Sequence, residues 1–163
     1  MYAARNGQKD ILEDLLKKTV DVNERDNENK TALIHASISG NKESVEILLQ
    51  NNADINLKDT FTYTALMEAS ILGNKEVVEV LLQNSADINA RTRDIETALI
   101  LASRNGKKQV VEILLQNNAN IDVKDNNGWT PLIHAVWQGH KETVKILIQN
   151  TVNPRLEVDL LLF

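Results

Sequence analysis

Apolar residues in this chain come in short clusters at helical spacing. Val45, Leu48 and Leu49 fall at i, i+3 and i+4, which predicts a helix from Lys42 to Gln50. Leu33 and Ala36, three apart, predict a shorter helix opening after Thr31, a residue suited to the N-cap. Gly40 ends that first helix, because glycine enters the left-handed region without strain. Glu43 and Glu76 lie in the first turn of their second helices, where the helix dipole favours an anion. The run Ala53-Asp54-Ile55-Asn56 then leads through a polar, turn-like stretch to the next threonine. The unit reads helix, glycine turn, helix, extended loop.

The same pattern recurs every 33 residues: Gly7, Gly40, Gly73, Gly106 and Gly139 keep that spacing, and so do Thr31, Thr64, Thr97 and Thr130. Ala3, Ala36, Ala69, Ala102 and Ala135 share it, as do the pairs Leu15-Leu16, Leu48-Leu49, Leu81-Leu82, Leu114-Leu115 and Leu147-Ile148. Four residue classes in one register exclude coincidence. Helices of about ten residues or fewer are marginal alone in water. Each unit must therefore bury its apolar face on its neighbours, which makes a stacked, quasi-one-dimensional array.

Composition sharpens this picture. Of 163 residues, 42% are hydrophobic and 25% charged, enough for a real core. The aromatics are only Tyr2, Phe61, Tyr63, Trp129, Trp137 and Phe163, so the core must be aliphatic and the rings become informative by position. No stretch approaches the roughly 20 apolar residues of a membrane span, and the start of the chain lacks the basic-then-apolar order of a signal peptide. Cysteine is absent, which removes disulfides and thiolate ligation and fits an intracellular, cytoplasmic setting. A net charge of −5 argues against binding a phosphate backbone.

These residues resemble the ankyrin-repeat family. The resemblance rests on Thr130-Pro131-Leu132-Ile133-His134-Ala135, on Gly139-His140, and on Glu46-Ile47-Leu48-Leu49 running to Ala53-Asp54-Ile55-Asn56. It implies an all-α solenoid of stacked antiparallel helix pairs with β-hairpin-like fingers. The expected domain is residues 1–153, in units of about 1–25, 26–58, 59–91, 92–124 and 125–153. The tail 154–163 either folds back as a cap or belongs to something else. Departures from the family pattern predict strain. Its finger glycine is Asn29, Thr62 and Ile95 in three units, and the glycine after the second helix is replaced by Thr19, Asn52, Ser85, Asn118 and Thr151; Asn tolerates the left-handed region, so Ser85 and Thr151 are expected to be strained or differently folded. Asp14 replaces the apolar residue of Ile47, Val80, Ile113 and Ile146, which suits a terminal unit facing water.

No catalytic motif is present: there is no nucleophile elbow, no phosphate-binding glycine loop and no His-Glu-x-x-His helix. The chain reads as a non-enzyme without cofactor or metal. His35, Glu68 and His134 share one repeat slot, but Leu101 interrupts the series, so a polar contact between units is expected rather than a metal site. Ser37, Ser70 and Ser103 sit beside the core alanines, where a small side chain allows close helix approach. His140 matches the family's structural histidine. The resemblance also places Asn23, Asn56 and Asn89 where some animal members are hydroxylated.

Family resemblance further implies recognition through a concave surface made by the fingers and the ends of the first helices. By register this surface holds Ile38, Phe61, Tyr63, Ile71 and Leu72 in the second and third units. It continues with Arg91, Arg93, Arg104 and Lys124, and ends with Trp129 and Trp137. Four of the six aromatics fall on it, and Trp, Tyr and Arg are usual interface anchors. The alternative is local packing of these rings within their own units. Arg25, Lys58, Arg91 and Lys124 form a basic ladder, neutralised in three units by the Asp that follows (Asp26, Asp59, Asp125). Thr92 replaces that Asp, so the middle of the surface is expected to be locally basic and to suit a partner with apolar anchors and an acidic group. The reading is a protein- or peptide-binding module. The alternatives are a small-molecule or nucleotide site on the same surface, or a piece of a larger enzyme or channel. An open end of the stack could also associate with another copy.

Overall fold

A computed structural model describes residues 1–18 and 20–151; the tail proposed as a cap lies outside the described residues. They form ten α-helices in five consecutive pairs: α1 (Tyr2–Arg5) with α2 (Lys9–Leu16), α3 (Ala32–Ser39) with α4 (Lys42–Gln50), α5 (Ala65–Leu72) with α6 (Lys75–Gln83), α7 (Ala98–Arg104) with α8 (Lys108–Gln116), and α9 (Pro131–Trp137) with α10 (Lys141–Thr151). First helices stack on first helices along the array and second helices on second helices, so the chain is an all-helical solenoid.

The local causes are those legible in the repeat. Thr31 Oγ accepts the Ile34 N–H at 3.3 Å, and Thr64, Thr97 and Thr130 cap their helices in the same way. Gly40 closes α3 at φ 71°. Alanines pack the first helices closely: Ala36, Ala69, Ala102 and Ala135 are each 0% exposed. Leu33, Leu66, Leu99, Leu48, Leu81 and Leu114 fill the space around them, and no aromatic residue enters this buried cluster.

The fingers are five-residue turns. Each is closed by a backbone bond of 3.0 Å, from Asp26 to Lys30, Asp59 to Tyr63, Thr92 to Glu96 and Asp125 to Trp129. They are hairpin-like, but among the described residues no strand forms. Adjacent fingers are tied by Thr60 N–H to Glu28 O at 2.9 Å and Asn126 N–H to Asp94 O at 3.0 Å. Without a finger glycine, Asn29, Thr62 and Ile95 take the left-handed backbone themselves, at φ 57°, 68° and 62°. Ser85 is also left-handed, at φ 66°. Thr151 is folded differently, as the end of a longer α10.

Polar side chains lock unit to unit. Asn74 Nδ2 donates to Ser37 O at 2.8 Å, and His140 Nε2–H, in the same slot, donates to Arg104 O at 2.9 Å. The side-chain oxygens of Asn23, Asn56 and Asn89 accept the backbone N–H of Asp54, Asp87 and Asn120 in the following units, at 2.8, 2.9 and 3.1 Å.

Candidate functional site

The side chains singled out in the sequence lie on the fingers, one residue before them (Arg91 and Lys124), and on the C-terminal halves of the first helices. The core needs these segments for their backbone, not for every side chain, and the surplus is apolar. Phe61, at a finger tip, is 63% exposed; Leu72, the last residue of α5, is 46% exposed; Trp137, the last residue of α9, is 73% exposed. Ile38, Tyr63 and Ile71 are half-buried and pack on the hydrophobic cluster, so they form the floor rather than the tips. Trp129 is half-buried. Its ring meets His134 edge-on at 5.2 Å and Trp137 at 5.4 Å between centroids. The two tryptophans thus form one patch: Trp129 braces Trp137, and most of Trp137 faces water.

The charges are arranged differently from the sequence expectation. Arg25 and Lys58 are not neutralised by the Asp that follows each. The Arg25 guanidinium donates to Lys58 O at 3.0 Å and the Lys58 ammonium to Arg91 O at 2.8 Å, so the ladder ties successive units through backbone carbonyls. The aspartates turn into their own fingers. Asp26 Oδ1 accepts the Glu28 and Lys30 N–H groups, each at 2.9 Å, while Oδ2 accepts His35 Nε2–H at 2.7 Å. Asp125 repeats this, with the Asn127 and Trp129 N–H groups on Oδ1 and His134 at 2.9 Å on Oδ2. The slot of His35 and His134 therefore makes a contact within its own unit, not between units. Burial pushes both aspartates up, but the hydrogen bonds from the histidines and backbone outweigh it and hold the carboxyls below their ordinary value.

In the third unit Glu68 takes the histidine slot. Its carboxyl is pushed up, first by burial and then by Asp59 and Glu28, with Lys30 opposing. Asp59 Oδ1 still accepts Phe61 and Tyr63 N–H, but its buried Oδ2 has no hydrogen-bond partner. In the fourth unit Thr92 and Leu101 occupy the two slots, so neither charge is present. The expected basic centre is also tempered. Arg104 forms an ion pair with buried Glu96 beside Tyr63, whose hydroxyl pKa is raised by burial and by Glu96 against the opposing Arg104. Arg91, Arg93 and Lys124 are exposed.

The Asp–His pairs were missed in the sequence, although a signal was there. The two slots are nine residues apart: Asp stands with His twice and Thr with Leu once, and only Asp59 with Glu68 departs from that pairing. Among the described residues no group of three or more His, Cys, Asp or Glu side chains could hold a metal ion, and no described helix is long and apolar enough to cross a membrane. What the face offers chemically is apolar area with polar groups between, the make-up of a contact surface. A search of curated proteins returned no match. Two segments, residues 1–92 and 89–157, each match the family described as ankyrin repeats (3 copies), which agrees with the stacked helix pairs, the threonine caps and the fingers. The chain belongs to the ankyrin-repeat family.

Proposed function

We propose that this chain is a non-enzymatic protein-interaction module. It takes a peptide or protein partner on the face formed by the fingers and the ends of α3, α5, α7 and α9. Ankyrin repeats are in general protein–protein interaction modules. The observation that carries the reading here is the exposure of Phe61, Leu72 and Trp137 on one register-defined face while the core contains no ring. Leaving such side chains in water gains nothing for folding, whereas burying them in an interface is worth about 1.5–3 kcal/mol each. Tyr63, Ile38 and Ile71 give these anchors a packed floor, and exposed Arg93 is placed to meet an acidic group on the partner.

The test is selection of binders from a displayed peptide library against the full chain, followed by alanine substitution. Phe61→Ala, Leu72→Ala and Trp137→Ala are each expected to weaken the selected peptides by at least about fivefold, the mark of an interface hot spot. Unchanged affinity across all three overturns the assignment of this face.

A further inference from the structure

The two ends of the stack expose the very slots that the interior junctions bury. Ile34, Met67 and Ile100 are at most 1% exposed, but their register equivalent in the last pair, Ile133, is 42% exposed. Ser37, Ser70 and Ser103 are 0% exposed, and their equivalent Val136 is 58% exposed. These slots are uncovered only where no pair follows, and Ala4, the equivalent of Ser37 in the first pair, is fully buried. They are therefore the side of each pair that faces the next one.

The opposite side is identified in the same way. Ser44, Val77, Val110 and Thr143 are at most 1% exposed, against 51% for Ile11. Leu48, Leu81, Leu114 and Leu147 are at most 1% exposed, against 40% for Leu15. These slots are uncovered only where no pair precedes.

On these two faces Asp14 is polar where the other units have Ile47, Val80, Ile113 and Ile146, but Ile11, Leu15, Ile133 and Val136 are apolar. Ile11 stands where the other four units have Ser44, Val77, Val110 and Thr143, and Val136 stands where three have Ser37, Ser70 and Ser103. The end faces thus keep the aliphatic residues of the interior junctions at Leu15 and Ile133, and add an aliphatic residue at Val136.

We infer that a second copy of this chain docks head to tail, with the Ile133–Val136 face of one molecule covering the Ile11–Leu15 face of the next. The argument for this occupant is continuity. The two faces are the two halves of one junction, which the chain already forms between each of its successive pairs. Each half therefore complements the other and not itself. Such a contact is heterologous and does not close, so it extends to linear stacks rather than stopping at a dimer.

The test is sedimentation velocity on the full chain from micromolar to near-millimolar concentration. The expected result is a weight-average mass that rises past the dimer. Ile11→Glu and Val136→Glu are each expected to be monomeric, and because both side chains are exposed their thermal unfolding should match the parent. Leu15→Lys and Ile133→Lys replace them if either fails to fold. Mixing Ile11→Glu with Val136→Glu leaves one intact face on each, and is expected to give a one-to-one complex that grows no further. The inference is overturned by a parent chain that stays monomeric over that whole range. It is equally overturned by self-association of either variant alone, or by a mixture that forms no complex.

Discussion

Replacing Glu68 by histidine should stabilise the protein. In two fingers the second carboxylate oxygen is paired, Asp26 with His35 at 2.7 Å and Asp125 with His134 at 2.9 Å. In the third, Asp59 Oδ2 is buried without a hydrogen bond, Lys30 Nζ stands 4.0 Å away, and Glu68 fills the donor's slot. Glu68→His supplies the missing donor and removes a like charge. A hydrogen bond to a charged group contributes about 1.5–3 kcal/mol net, and the half-buried site argues for about 1.5 kcal/mol. For a chain of this length that is a rise in Tm of about 3–6 °C at neutral pH, read by circular dichroism. The pH dependence has a definite sign. The folded carboxyl is raised above its ordinary value of 4.5, so the folded state holds that proton more tightly than the unfolded chain. Glu68 therefore contributes stability below about pH 4.5, and that contribution is lost as pH rises through the folded value. The advantage of Glu68→His should accordingly narrow as the solution is acidified, and it should shrink in an Asp59→Asn background, where only the relief of burying the Glu68 carboxylate near Glu28 remains. An unchanged or lower Tm for Glu68→His at neutral pH would refute the pairing argument, as would an equal gain with Asp59 removed.

Two further outcomes follow from the fingers. Ile95 is β-branched and held at φ 62°, so Ile95→Gly should gain about 1 kcal/mol in urea unfolding despite the looser unfolded chain, whereas Asn29→Gly should be close to neutral. Asp125 has its carboxyl held below the ordinary 3.8, so its contribution is present above that value and is lost as pH falls through the folded one. Asp125→Asn should therefore lower stability at neutral pH and flatten the acid limb of a stability–pH profile; an acid limb identical to the parent's contradicts the role given to His134 and the finger amides.

How much of this was legible follows from the range of the forces involved. Helix bounds such as Lys42–Gln50 could be read directly, because caps, glycine turns and apolar spacing act within a few residues. The exposed Phe61, Leu72 and Trp137 were likewise placed by register, since a repeat fixes which slots face the core. Which atom reaches which was not legible. Arg25 passes over the adjacent Asp26 to reach a carbonyl 33 residues on, and Arg104 pairs with Glu96 eight residues back across a finger. Such choices depend on side-chain length and on the offset between neighbouring units, and a linear register contains neither. The same holds for Thr151, where α10 continues past the point at which α4 stops.

The rings and the leucine on the finger face are held here to serve recognition rather than folding, and a single double variant measured twice decides this. Phe61→Ala/Leu72→Ala should leave Tm within about 2 °C of the parent, because exposed substitutions cost little. In the same preparation it should lose most of its affinity for peptides selected on the parent chain. A Tm that falls by many degrees while that affinity is unchanged would assign both side chains to packing and contradict the account.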